Sequence, residues 1–289
     1  MSPPVVEVEG GVGMEPNKIL MTVVVDDQSR CAEAPAEHGL SLHFRSQGRA
    51  LLFDTGKSDL VLSNLAALGL TKESPEWIVL SHGHYDHTNG APALMARYPQ
   101  SRLHFHPKLT DPKWILDGPE QWRYGGVPSG FMDFSSRSQA GRCSMELLPG
   151  IFSSGSLAGD FAQTFEPGRF FRNETGHLRA DAFPDEQALF VRTELGLSLI
   201  SGCAHTGIPA LIAKAQELFP REPFYALVGG FHLNGKTTDQ MEPIVEKILQ
   251  VGFQKVMPLH CTGPAFSELL AARYPELLVP GHVGVTLEL

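Results

Sequence analysis

Four side chains able to ligate a metal crowd into six residues of the segment Ser81-His82-Gly83-His84-Tyr85-Asp86-His87, directly after the apolar run Trp77-Ile78-Val79-Leu80. The run reads as a buried strand, so the ligands sit on the loop at its end. Such a loop favours an architecture in which strand ends collect at one edge of a sheet, where donors far apart in sequence can converge. Imidazole nitrogen and carboxylate oxygen suit zinc, iron or manganese, and Gly83 allows the tight turn that close-spaced ligands need. His82 and His84 alternate and can share one metal, whereas the adjacent Asp86 and His87 more naturally face a second.

The remainder of the chain alternates strands with helices. Strands are expected at Lys18 to Val25, Leu40 to Phe44 and Ala50 to Phe53, the last ending in Asp54-Thr55-Gly56. Ser58 caps a helix with apolar positions Leu60, Val61, Leu65 and Leu68, and Gly69 stops it. After the histidine segment come a short helix from about Ala91 to Tyr98 and a strand at Leu103 to His106. Ala188 to Arg192 and Leu197 to Ser201 flank Thr193-Glu194-Leu195-Gly196 as a hairpin. Helices at Ile208 to Leu218, Pro243 to Val251 and up to about Tyr274 alternate with strands at Phe224 to Val228 and Lys255 to Leu259, and a last strand lies near Val283 to Leu287. This order describes an α/β chain with helices on the outer faces of its sheets.

Between Pro107 and about Phe183 the periodicity fails. Aromatic, Gly, Pro and Ser residues dominate, with Trp114, Trp122, Tyr124, Phe131 and Phe134 close together. A long irregular stretch in a compact domain reads either as a lid or substrate wall or as an insertion packed on the sheet for stability. With 289 residues and 42% apolar content, the expectation is one elaborated domain, 1–289, carrying a lid-like insertion at about 107–183.

Charge narrows the partners. Against 32 acidic residues stand 23 basic ones, for a net charge of -9, and no Lys/Arg cluster appears, which argues against nucleic acid. A small anionic substrate held by metals remains compatible. Met1 to Glu15 lacks the basic and apolar stretches of a signal peptide, and no apolar run approaches the ~20 residues of a membrane span, so a cytoplasmic location without membrane contact is expected. Cys31, Cys143, Cys203 and Cys261 are scattered, in neither zinc-finger nor disulfide-scaffold spacing.

Polar residues recur at the ends of separate strands: Asp54, the His82 to His87 cluster, Cys203 with His205, and His260. A dinuclear centre fits them, with His82, His84 and a third ligand on one metal, Asp86, His87 and His260 on the other, and Cys203 or His205 completing the set. Each metal would keep a position for water, whose pKa it lowers toward ~7. Asp54 serves better as the orienter of a ligand imidazole than as a ligand, or simply forms the turn before Thr-Gly. Thr206 and Thr262, each followed by Gly at an expected helix start, mark N–H groups that would favour a substrate anion, with Gly263 beside them, or else cap the helices. His232, after a Gly-Gly turn, is a candidate substrate contact.

Here the chain resembles the metallo-β-lactamase superfamily. The Leu52-Phe53-Asp54-Thr55-Gly56 strand end and the His-x-His-x-Asp-His pattern at His82 to His87 carry the likeness. Glu37-His38-Gly39-Leu40-Ser41, Gly202-Cys203-Ala204-His205-Thr206-Gly207, Gly230-Phe231-His232-Leu233 and Leu259-His260-Cys261-Thr262-Gly263 are similar to the superfamily II metal-dependent hydrolases that include the methanopterin-pathway dihydropterin transferase, a ribofuranosyl-aminobenzene-phosphate synthase. The resemblance implies a four-layer αββα sandwich, a dinuclear site at one edge, and catalytic roles for Asp86 and Asp54. The chain departs from the general pattern at Gly202-Cys203, where most members have Gly-Asp. The separate histidine usual before that strand is not evident, and His177, Asp185 or His205 would have to replace it.

The expected function is metal-dependent hydrolysis of a small, phosphorylated substrate by a metal-activated water, with two divalent ions, zinc first and iron or manganese as alternatives. A dihydropterin-phosphate transferase is the other enzymatic reading. A non-enzymatic metal or redox sensor using Cys203 and Cys261 is the third. A β-lactamase proper is disfavoured by the missing export signal.

Overall fold

The computed structural model describes residues 18–157 and 168–289, so the signal-peptide reading of Met1 to Glu15 and part of the 107–183 stretch lie outside the described residues. The first half of the chain runs β1 (Ile19–Val25), β2 (Ser41–Ser46), β3 (Arg49–Phe53), α1 (Leu60–Ala67), β4 (Pro75–Val79), α2 (Tyr85–Thr88), α3 (Ala91–Arg97) and β5 (Arg102–Phe105). Next come β6 (Lys113–Gly118), β7 (Gln121–Tyr124), β8 (Ser138–Ala140), β9 (Met145–Leu148), β10 (Ile151–Ser153), β11 (Phe170–Glu174) and β12 (His177–Ala180). The remainder is β13 (Leu189–Thr193), β14 (Gly196–Ser201), α4 (Ile208–Leu218), β15 (Phe224–Gly229), α5 (Thr238–Val251), β16 (Lys255–Pro258), α6 (Pro264–Arg273) and β17 (Thr286–Glu288).

Three sheets result. The first has the order β17-β1-β2-β3-β4-β5-β8, the second β16-β15-β14-β13-β10-β9, and a smaller third β12-β11-β6-β7. Alternation within each strand explains how the first two stack. Leu42, Phe44, Leu51, Phe53 and Val79 of the first sheet meet Val191, Ile200, Ala226, Val228 and Met257 of the second, all buried. Each of these larger side chains taken out of water contributes about 1.5–3 kcal/mol, Ala226 less. The opposite face of the first sheet, with Leu52, Ile78 and Leu103, receives α1 and α3 through Val61, Leu65, Leu94 and Met95. The opposite face of the second, with Phe190, Leu199, Leu227 and Val256, receives α4, α5 and α6. Helices, sheet, sheet, helices: four layers, as the repeated strand-helix order requires once both sheets must be covered.

Two expectations change. Among its described residues, the stretch 107–183 contains seven strands, β6 to β12, where the sequence shows no period. They are short, and β7 and β12 are exposed at every residue, so no alternation of apolar and polar positions marks them. The helix expected from Pro243 begins five residues earlier, where Gln240 Oε1 accepts the Thr237 N–H at 2.9 Å and starts α5 ahead of the proline. Among the described residues, no helix is long and apolar enough to cross a membrane.

Candidate metal centre

The site lies where β3, β4, β14, β15 and β16 end. β3–β4 and β14–β15–β16 pair in parallel, so their ends fall on one edge of the sandwich. The chain turns sharply there. Asp54, Ala204, His232 and His260 follow four of those strands at φ values of 60°, 52°, 53° and 47°. Left-handed backbone at non-glycine residues costs on the order of 1 kcal/mol or more each and persists where surrounding contacts hold it.

Asp54 is fully buried and organises the floor. Its Oδ1 accepts the Ser81 N–H at 2.7 Å, and its Oδ2 accepts the Ser81 hydroxyl at 2.7 Å and lies 2.7 Å from His87 Nδ1. Ser81 Oγ in turn lies 2.9 Å from His82 Nδ1. One carboxylate therefore orients two imidazoles and leaves their Nε2 atoms facing inward. Gly202 makes this possible, because a Cβ there would stand 2.1 Å from Ser81 Oγ and 3.0 Å from Asp54 Oδ2.

The inward atoms form two donor sets with one member in common. His82, Cys203 and His205 offer ligand atoms within 4.8 Å of one another, and so do His87, Cys203 and His260. Cys203 Sγ is 3.2 Å from His87 Nε2. His84 Nδ1 lies 3.0 Å from His82 Nε2, and Asp86 Oδ2 lies 3.4 Å from His260 Nε2 and 4.0 Å from His87 Nε2. Every metal-site residue read from the sequence thus comes to one place. The sulfur is common to the two sets, and both Cys203 and His205 lie within reach of His82.

Burial and pairing set the charges. Burial pushes His82 and His205 well below the usual imidazole range and His84 to about 3. Hydrogen bonding to Asp27, then to Asp86, raises His38 to about 9. Burial opposes a proton on His260, but Cys261, Asp27 and Asp86 outweigh it and raise its pKa. Burial holds Cys203 up as a thiol. Burial would also raise Cys261, yet its hydrogen bond to Cys203 and the charge of His260 bring it down.

The donors fit transition-metal ions. Neutral imidazole and thiolate are the ligand forms such ions take, and His205 Nε2 is buried with no hydrogen-bond partner among the described residues. An ion held beside Cys203 and His82 would give that His205 nitrogen its partner. Its ring is fixed by stacking on Phe183, centroids 3.9 Å apart and 3° from parallel.

The substrate contacts expected from helix starts are not where the sequence placed them. Glu186, buried, accepts the His205 and Thr206 N–H groups at 2.7 Å each and the Thr206 hydroxyl at 2.6 Å. The protein's own carboxylate fills that anion position. Thr262 Oγ1 accepts the Phe231 N–H at 2.9 Å, and Gly263 backs onto Asn234; neither lines the cleft. His232 does line it. His177 lies exposed on β12, away from the cluster, while Asp185 lies beneath it and accepts the Gly83 N–H at 2.8 Å.

Several participants were not singled out from sequence. Asp27 Oδ1 lies 2.7 Å from His260 Nδ1, and His38 joins Asp27 at 2.9 Å to Asp86 at 3.2 Å. Asp27 follows β1 as the other ligands follow their strands, so the same strand-end rule finds it. Lys113, fully buried on β6, binds Asp181 at 3.0 Å and Asp185 at 2.9 Å under the His82–His84 turn, and no local pattern announces it. Above the cluster is a cleft of about 190 Å³ whose lining includes Tyr85, Ile115, Phe170, Asn234 and two guanidinium groups, Arg123 and Arg169.

Known proteins place this geometry. A protein of Methanocaldococcus jannaschii named 7,8-dihydropterin-6-methyl-4-(beta-D-ribofuranosyl)-aminobenzene-5'-phosphate synthase is 28% identical over 264 residues, covering 86% of this chain and 89% of its own. Hydroxyacylglutathione hydrolase of Aeromonas hydrophila is 39% identical over 80 residues, covering 26% of this chain and 30% of its own. A crystal structure of a metal-dependent hydrolase of the beta-lactamase superfamily superposes with a TM-score of 0.79 at 30% identity, covering 94% of this chain and 99% of its own. Residues 36–213, more than half of the sequence, match the family model of the metallo-beta-lactamase superfamily, and the chain belongs to that superfamily.

Proposed function

We propose that this chain is a metal-dependent hydrolase acting on a small, phosphorylated substrate. The observation that carries the reading is the cleft itself: two His/Cys donor sets on its floor, and Arg123 and Arg169 on its wall. Two divalent ions, zinc first, would be held by His82, His84, Cys203 and His205 and by Asp86, His87, Cys203 and His260. Metal bound there supplies Lewis acidity and a water of lowered pKa. The chain's own groups do the rest. Burial opposes the charge of Asp86, but His87, His260 and His38 hold it ionised on the cleft wall, so it would orient a reacting group by accepting a hydrogen bond, and Asp54 keeps His82 and His87 in position. Arg123 and Arg169 serve as the anion-binding element by exchanging Asp117, their exposed partner at 2.8 and 3.8 Å, for a substrate anion, while the third sheet, through Ile115 and Phe170, forms the substrate wall.

A transferase reading has its own support, the 28% identical synthase that aligns along most of both chains. Phe170 and Tyr85 in the same cleft suit a planar ring as well as an ester. A panel of phosphomonoesters, phosphodiesters, lactones and β-lactams, run beside a dihydropterin condensation assay, separates the two. Chelator-sensitive phosphoester turnover that exceeds lactone and lactam turnover, with KM raised about 10-fold or more in Arg123→Gln, is expected. A strong preference for an uncharged lactone would refute the anion assignment, and condensation without hydrolysis would favour the transferase.

A further inference from the structure

Cys261 and His232 lie beside the two donor sets but belong to neither, and the backbone has made room for them. Cys261 Sγ stands 3.3 Å from Cys203 Sγ, and the ligand atoms of Cys203, His232 and Cys261 fall within 4.8 Å of one another. A Cβ on Gly230 would stand 2.7 Å from Cys261 Sγ and 2.3 Å from the Gly202 carbonyl oxygen, so only glycine lets the sulfur approach. His232 holds a left-handed backbone, φ 53°, where β15 turns, and its ring centroid lies 4.4 Å from that of His205. All three residues line the open cleft, so an ion reaches them without unfolding.

We propose that Cys203, Cys261 and His232 form a further metal position, rich in sulfur, that takes a thiophilic divalent ion such as zinc or iron(II). Two thiolates and one imidazole are the donors such ions select over magnesium or calcium, and three protein ligands leave one position toward the cleft. The position differs chemically from the His87–His260–Asp86 side, where a carboxylate stands in place of the second sulfur. The three donor sets share Cys203, so the single sulfur makes their occupancies interdependent. The turn that follows β16 serves both sides, sending His260 toward Asp86 and Cys261 toward Cys203. This assignment uses the same cluster as the proposed hydrolase but does not depend on its substrate.

Cobalt(II) tests it, because thiolate coordination produces a charge-transfer absorption that imidazole and carboxylate do not. The full chain, reduced, stripped with chelator and kept anaerobic, is titrated with cobalt(II) alone while bound metal is counted. Wild type is expected to show the band of two bound thiolates. Cys261→Ser should lose about half its intensity and bind one cobalt at least ~10-fold more weakly, as the loss of a ligand should cost no less than the loss of an outer-shell partner. His232→Ala should weaken the same cobalt, and Cys143→Ser, which changes an exposed thiol, should alter nothing. An unchanged band in Cys261→Ser overturns the proposal. So does conversion of Cys203 and Cys261 to a disulfide with cobalt fully retained. If Cys261→Ser does not fold, protection of wild-type Cys261 from alkylation by bound cobalt decides instead, and free alkylation refutes the site. A failed phosphoester panel with this spectrum intact sinks only the substrate class, and the reverse result sinks only the sulfur position.

Discussion

On one flank of the donor cluster, His82, His84 and His205 take their neighbours from a hydroxyl, an imidazole and the rings of Phe170 and Phe183. On the other, His38 and His260 each contact Asp27 and Asp86 within 3.4 Å. The residue type is the same, but one group is neutral and the other cationic. Desolvation among rings holds the first group neutral, while paired carboxylates hold protons on the second. The aromatic flank is in the neutral form a metal takes, whereas the carboxylate flank would have to release protons to bind one.

The largest expected effect breaks the support under the aromatic flank. Lys113→Met leaves Asp185 buried without its cation and Asp181 with only Arg172, at 3.8 Å, and removing one partner of such a pair costs about 3–5 kcal/mol. Urea unfolding measures it, and a loss under about 1 kcal/mol would mean that water or another group satisfies both carboxylates. Next comes Asp54→Ala, which touches both flanks through His82 and His87. Weakening of metal binding by ~10–100-fold is expected in chelator competition, and unchanged affinity would show that the imidazoles hold their orientation unaided.

Asp27→Asn sharpens the comparison by acting on one flank only. Affinity for one ion should fall by about 10-fold and the other, coupled to it only through Cys203, by clearly less, since Asp27 contacts His260 and His38 but none of His82, His84 and His205. Equal weakening of both would show that the flanks are one unit. The smallest effect is the sign of pH dependence in the metal-free chain. His84, held at about 3 against an ordinary 6.5, binds fewer protons folded than unfolded, so stability falls as pH drops below about 6.5. His38, raised to about 9, contributes stability that is full below about 6.5 and lost as pH rises through 9. Unfolding midpoints across that range should peak between the limits, and His38→Gln should flatten only the alkaline side.

Much of the fold was legible because its signals are local. The apolar runs at Ala50 to Phe53 and Trp77 to Leu80, and the 3.6-residue pattern from Leu60, place strands and helices without reference to anything distant. The third sheet was not legible. Strands such as Gln121–Tyr124 are exposed along their length, so packing selects their conformation while the sequence shows no alternation. The helix-start argument for an anion site failed for a related reason, since Glu186 lies 19 residues before His205 and only the folded chain brings it to those N–H groups.

By itself the sequence determined which atoms were available: candidate ligands at three strand ends, Asp54 at a fourth, a cysteine where an aspartate is usual, and a core large enough to hold them rigid. The tertiary structure decided which of those atoms meet. It made Cys203 common to both donor sets, brought Asp27 and His38 across from β1 and its following loop, slid Lys113 under the metal loop, and set Arg123 and Arg169 on the cleft wall. Periodicity reports which face of an element is buried, a property of near neighbours. Convergence depends on the register and stacking of two sheets, which arise from contacts between residues far apart in sequence, such as His260 with Asp26, 234 positions away.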